Sequence, residues 1–250
     1  MNFLLIKLSR LIQILLLPGG LAAKLRTPAF NQGDWQMCRT LRAMGVRPRT
    51  VVDVGANIGQ FALAAAHMLH PEKLISLEPI PEICRKLSRL TIPAGTEFQA
   101  ICVALGESTG EAHFRVMSQT VSSSLLSLGQ IHQEIYPEIR EERTIPVSVQ
   151  TLDTILTGQS LSGPALLKLD VQGSELAVLR GCRRLSTFFK WILLETSTIC
   201  FYESGAGFKE IDEFLSEQGY RWIGPATVHQ PMEIKPAKSL QFDALYVLDL

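Results

Sequence analysis

Several common signatures are missing from this chain of 250 residues. No C-x-x-C spacing occurs, and the five cysteines (Cys38, Cys84, Cys102, Cys182, Cys200) are scattered and odd in number. Neither a zinc site nor a disulfide framework is indicated, so a reducing compartment fits best. An excess of charge is absent too. Lys plus Arg number 24 and Asp plus Glu number 24, so there is no electrostatic case for nucleic acid as the main partner. The apolar stretch near the N-terminus is interrupted by Lys7 and Arg10, whereas a spanning helix needs roughly 20 apolar residues without interior charge. Internal repeats and low-complexity tracts are lacking, which leaves one α/β domain with small additions as the expected organisation. With 46% apolar residues, that domain can bury a sizeable core.

The chain is organised around Val51-Val-Asp-Val-Gly-Ala-Asn-Ile-Gly-Gln60. Val51 to Val54 is β-branched and almost wholly apolar, as in a parallel strand buried on both faces. Gly55 permits a sharp turn. Asn57 is a candidate helix N-cap, Gly59 allows close approach in the first turn, and Phe61 to Leu69 carries the helix. A helix N-terminus just past a parallel strand attracts polar ligands. The dinucleotide fingerprint G-x-G-x-x-G is not met: the pattern is Asp53-x-Gly55-x-x-x-Gly59. Beside a pyrophosphate, the Asp53 carboxylate would be badly placed. It suits an amino group or a sulfonium, and S-adenosylmethionine carries both and has no phosphate. A second acid, Glu78, follows the next strand, Lys73 to Leu77, where a ribose-binding acid is expected.

These residues, with Val103-Ala104-Leu105-Gly106 and Lys168-Leu-Asp170-Val-Gln-Gly173-Ser-Glu175, give a sequence that resembles the FkbM-type methyltransferase family over about Val51 to Glu195. The resemblance implies a Rossmann-like class I methyltransferase fold: a mostly parallel seven-stranded sheet with an antiparallel closing strand and an N-terminal helical extension. It implies methyl transfer from S-adenosylmethionine to a hydroxyl of a glycan, a lipid-linked sugar or a natural product. The expected cofactor contacts are Asp53, Gly55, Asn57, Gly59, Glu78 and Ala104. Asp170, at the end of a strand over Ala165 to Leu169, is the candidate contact to the acceptor or its proton, with a helix N-cap as its alternative role. Asp170, Glu175 and Glu195 can be drawn as a magnesium site, but acids near strand ends more often serve caps and hydrogen bonds, and no metal is assigned. Of the histidines, His67 and His70 read as structural, while nothing selects among His113, His132 and His229 as a base.

Residues 1–48 are expected to form an amphipathic segment and a helical extension, and residues 49–250 the methyltransferase domain. In the first 17 residues Lys7, Arg10 and Gln13 recur at a spacing of three, on one helical face. The segment reads either as a helix lying on a membrane surface or as one docked on the domain or a second subunit. A secretory signal is imitated only weakly, because the apolar run after the charges is short. These features place the chain in the cytoplasm, with membrane contact at the inner face and homo-oligomerisation as open readings. Asn31 to Asp34 looks like a helix start, with Gly45 and Pro48 as stops. The resemblance implies that this helix covers the cofactor cleft. Glu111 to Val116 alternates as in an inserted hairpin, Ser118 to Gln130 reads as a loop near the cleft, and Thr144 to Val149 as an edge strand because Pro146 cannot donate. Helix Gly173 to Leu185, a strand at Trp191 to Leu194 ended by Glu195, and late strands at Tyr220 to Ile223 and Phe242 to Leu248 complete the pattern. Two other functions stand beside the first: a nicotinamide-dependent oxidoreductase, disfavoured by the glycine pattern and Asp53, and a non-catalytic adapter that binds S-adenosylmethionine.

Overall fold

The computed structural model describes residues 20–228, 232–234, 237–239 and 241–249. The membrane-lying helix read in the first 17 residues falls outside them, as does His229. In chain order the elements are helices α1 (Gly20–Arg26) and α2 (Gln32–Ala43), strand β1 (Thr50–Val54), α3 (Gln60–Met68), β2 (Lys73–Leu77), α4 (Pro81–Leu87) and β3 (Glu97–Ile101). An insertion follows: β4 (Ala104–Leu105), β5 (Gly110–Met117), α5 (Gln130–Ile135) and β6 (Glu141–Gln150). Then come α6 (Leu152–Leu156), β7 (Ala165–Leu169), α7 (Glu175–Arg180), α8 (Leu185–Phe188), β8 (Phe189–Ser197), α9 (Phe208–Glu217), β9 (Tyr220–Val228), a hairpin of β10 (Met232–Ile234) and β11 (Ala237–Ser239), and β12 (Gln241–Leu248).

Seven strands form one sheet in the order β3-β2-β1-β7-β8-β12-β9. Only β12 runs against its neighbours, pairing antiparallel with β8 and β9. The closing pair expected from the late strands is therefore present, with β12 inserted between β8 and β9. The chain moves from β1 to β2 on one side, while β7 pairs β1 on the other, so the strand order reverses at β1. Ligand crevices open at such reversals, beyond the carboxyl ends of the strands. Side-chain alternation divides the core into two apolar layers. Val52, Val54, Ile75, Leu167 and Ile192 face one way with α7 and α9, and Val51, Leu74, Leu166 and Leu193 the other way with α2 and α3. Both faces are covered, which is why the strands read as continuous apolar runs. Into the second layer the register places a polar row: Asp53 pairs with Ser76 on β2 and with Lys168 on β7.

Four local expectations are corrected. Asn57 does not cap α3. Its backbone is left-handed (φ 48°), its Oδ1 accepts from Ile58 N, and Gly59 occupies the cap position. The helix expected to run to Leu185 stops at Gly181, where a Cβ would lie 2.3 Å from Gly106 O; Leu185 belongs to α8. Glu195 lies within β8, paired with Asp243, and not at a strand end. Strand β6 is the middle of a three-stranded sheet, β4-β6-β5, and not an edge. β4 covers only Val149 and Gln150, so Pro146, opposite His113 on β5, loses no ladder bond on its other side. The helix at Gly20–Arg26 had no sequence expectation.

Candidate active site

A cavity lies where the strand order reverses. Its volume is about 210 Å³. Its base is built from the turns after the strands: Gly55, Ala56 and Asn57 after β1, Glu78 and Pro79 after β2, and Asp170 to Gln172 after β7. The β5 region closes one side with Phe114, Thr120, Val121, Ser123 and Leu125. Asn31 and Asp34, from the start of α2, close another, so the helical extension does cover the cleft. That start is fixed by the N-cap Asn31, whose side chain accepts from the N–H groups of Gly33 and Asp34.

Among the sequence candidates, Gly55, Asn57, Glu78, Ala104 and Asp170 line this cavity, while Asp53 and Gly59 do not. Asp53 is fully buried. Its Oδ1 lies 3.3 Å from Lys168 Nζ, close enough for an ion pair, yet neither carboxylate oxygen makes a hydrogen bond of good geometry. Burial pushes the Asp53 carboxyl up, and the Lys168 charge opposes that. The expected direct contact with the ligand's amino group is not one this geometry offers, because Lys168, which lines the cavity, stands against Asp53. Gly59 has another reason to be glycine: a Cβ there would meet Leu90 Cδ2 at 2.5 Å and Leu87 Cδ1 at 2.9 Å, beside α4. At Gly55 (φ 78°) a Cβ would lie 1.9 Å from the backbone oxygen of Asp170, so the two site turns touch through backbone alone.

Glu78 is almost completely buried, and its carboxylate holds the turns in place. Its Oε2 accepts from Asn57 N at 3.0 Å and its Oε1 from Ile80 N at 2.9 Å. Each oxygen keeps acceptor capacity for a ligand hydroxyl. Burial pushes the Glu78 carboxyl up to about 7, against those two backbone donors. Burial likewise lifts Asp34 to about 7, with Lys168 opposing and the nearby acids adding. Lys168 Nζ also lies 3.4 Å from Asp170 Oδ2. Burial pulls the Lys168 ammonium down, but Asp170, Asp53 and Asp34 outweigh it and hold its pKa above the ordinary lysine value.

Sequence reasoning missed Gln172. Its backbone is left-handed (φ 56°), and its Nε2 donates to Asp170 Oδ1 at 2.6 Å and to Glu195 Oε2 at 2.9 Å, while its Oε1 accepts from the Tyr202 hydroxyl. An amide thus stands where a cation between Asp170 and Glu195 would. Glu175 points elsewhere, accepting from Val171 N and Gly173 N, and burial lifts its carboxyl to about 7. No group of three or more His, Cys, Asp or Glu is arranged to hold a metal ion among the described residues. No described histidine lines the cavity. His132 is buried against Tyr136, Phe201 and Tyr202, His113 is exposed on β5, and His67 stacks on Trp35.

The cavity wall carries Asp34, Glu78 and Asp170 against one lysine already shared between two acids, and no arginine among the described residues. Such a wall fits a ligand with a cationic centre and repels a pyrophosphate. Together with the strand order, it defines a class I methyltransferase fold that takes S-adenosylmethionine. The chain belongs to a particular family of that class: the model of the methyltransferase FkbM domain matches residues 53–222. It is 26% identical over 192 residues to methyltransferase sdnD of Sordaria araneosa, covering 68% of this chain and 73% of that protein. Among solved structures it is similar to the N-terminal domain of EvdMO1 with SAH bound (10% identity, 92% of this chain and 84% of that one, TM-score 0.47). It is also similar to precorrin-6y C5,15-methyltransferase from Geobacter metallireducens GS-15 (13% identity, 84% and 86%, TM-score 0.43). The family decides against the nicotinamide-dependent oxidoreductase and the non-catalytic adapter. The protein is an S-adenosylmethionine-dependent methyltransferase.

Proposed function

We propose that the transfer is to a hydroxyl oxygen of a glycan, a lipid-linked sugar or a natural product, and that Asp170 takes the hydrogen bond of that hydroxyl. The observation that carries this is the setting of Asp170. Its side chain is 36% exposed on the cavity wall, with one oxygen turned to the Lys168 ammonium and the other to the Gln172 amide. A carboxylate has about four acceptor sites, so one further donor can be received. Held from both sides, it can orient a hydroxyl and accept its proton as negative charge develops on the oxygen. When bound, S-adenosylmethionine supplies the activated methyl group. The chain's part is to align and to exclude water. Glu78 would accept from the ribose hydroxyls, the backbone at Gly55 allows close approach, and Lys168 would hold the Asp170 carboxylate in place. Phe114, Val121 and Leu125 supply apolar cover on the side of the insertion. The acids of this wall, Asp34, Glu78 and Asp170, favour a neutral hydroxyl compound over an anionic one.

The test is mass spectrometry of reactions with glycan, lipid-linked sugar and natural-product acceptors, each with the parent chain and with Asp170→Asn. A methyl ether should appear, and the substitution should lower kcat by ~10²–10⁴ with affinity for S-adenosylhomocysteine unchanged within about threefold. A product methylated at nitrogen or carbon, or a full rate from Asp170→Asn, would overturn the reading.

A further inference from the structure

A second concave surface lies on the other side of the same turns. Ala23 of α1, Ala29, Ile58, Leu63, Leu90 and Ile92 line an apolar groove. Lys86 and Arg89 form part of its rim, and both are exposed. The neighbouring acid Glu82 is taken by Arg143, and no ion pair joins Lys24, Lys86 or Arg89 to an acid among the described residues. Helix α1 extends the apolar surface outward. Leu25 is 78% exposed and Leu21 39%, one turn apart on the same side, with Lys24 exposed beside them. The sequence around α1 is one-signed. Residues 1–33 hold Lys7, Arg10, Lys24 and Arg26 and not one Asp or Glu, whereas the remainder carries four more acids than bases. Among the described residues, Lys24, Lys86 and Arg89 thus stand exposed around an apolar face.

We propose that this face binds an anionic lipid bilayer, with Leu21 and Leu25 entering the acyl boundary and Lys24, Lys86 and Arg89 meeting the headgroups. Apolar residues ringed by cations match the two layers of such a surface. A second copy of the chain fits less well, because a two-fold interface sets each patch against itself and would oppose the cations. The groove and the methyl-transfer cavity share their walls: Ile58 lines the first and Asn57 the second, and likewise Ala29 and Asn31. A bilayer on this face would therefore lie beside the reaction site. The inference does not depend on which atom is methylated.

Flotation of the full chain with phosphatidylcholine vesicles, with and without phosphatidylglycerol, tests it. Binding should require the anionic lipid and fall with salt. Lys86→Gln and Arg89→Gln should each weaken it about fivefold, and Leu25→Asp about tenfold or more. Each change is on an exposed side chain, so melting temperatures should match the parent. Three results would overturn the proposal: no binding to anionic vesicles, binding indifferent to these substitutions, or a dimer in sedimentation that Leu25→Asp dissociates.

Discussion

Replacing Glu78 by alanine separates the cofactor site from the fold that carries it. The carboxylate accepts from Asn57 N and Ile80 N, and its remaining lone pairs face the cavity. A charge-assisted hydrogen bond is worth ~1.5–3 kcal/mol, so losing the ribose acceptor should weaken binding by ~10–150-fold. The two backbone N–H groups would be left at a cavity wall, where water can reach them. Burial also makes the ionised side chain costly, as its shift to about 7 shows, and that cost disappears with it. These effects oppose one another, so the free protein should melt within a few degrees of the parent. Titration calorimetry with S-adenosylhomocysteine at pH 8 gives the comparison. Glu78→Gln is not a mild change, because Asn57 N and Ile80 N each meet a different carboxylate oxygen, and the amide NH2 of glutamine would confront one of these donors. A Glu78→Ala variant that melts normally and binds within twofold of the parent would refute the assignment.

Further outcomes follow from the same geometry. Asp34 and Glu78 are lifted from 3.8 and 4.5 to about 7. A carboxyl lifted on folding binds its proton more tightly in the folded state, so its stabilising contribution is full at low pH and fades as pH rises through 7. The free protein should lose melting temperature from pH 5 to pH 8. The ionised form alone attracts a sulfonium, so affinity for S-adenosylmethionine should rise by about tenfold between pH 6 and pH 7.5; a calorimetric affinity that fell over this range would contradict the charge argument. Lys168→Met would leave Asp53 buried without its partner and should cost ~3–5 kcal/mol in denaturant unfolding, whereas a loss under 1 kcal/mol would show that Asp53 is neutral in the parent. Gly55→Ala, facing a backbone oxygen, should destabilise by about 3 kcal/mol or more. Gly45→Ala has the same backbone sign (φ 85°) but open space around it, and should cost only ~1 kcal/mol. Equal losses at the two glycines would mean that the 1.9 Å contact is relieved by a backbone shift.

How much of this was legible in the sequence depends on whether a residue's role is local. Strand ends are local features, so Glu78 and Asp170 could be placed on the cavity from apolar runs followed by an acid. Asp53 looked the same, but the register beside Lys168 turns it into the core, and pairing across strands is not written in either strand alone. Lys168 carried a signal that passed unused: a lone cation inside Ala165-Leu-Leu-Lys-Leu169 needs a buried partner. Gln172 carried none, since a left-handed backbone at glutamine is set by the contacts of Tyr202, Glu195 and Asp170. Asp34 was visible only as part of a helix start. Its reach into the cavity comes from packing α2 on α3. Thr120 and Val121 came closer, because a serine-rich loop after an inserted hairpin was expected near the cleft. The long connection before the last strand hid the hairpin of Met232–Ile234 and Ala237–Ser239, where prolines outweighed three-residue strands.

The central claim is that an acid-walled cavity at the β1 reversal holds the methyl donor. A crystal structure with S-adenosylhomocysteine tests it most directly. The ribose hydroxyls should lie within hydrogen-bond distance of Glu78, with the sulfur on the side of Asp170. A nucleoside bound elsewhere, or turned so that Glu78 meets no hydroxyl, would contradict it.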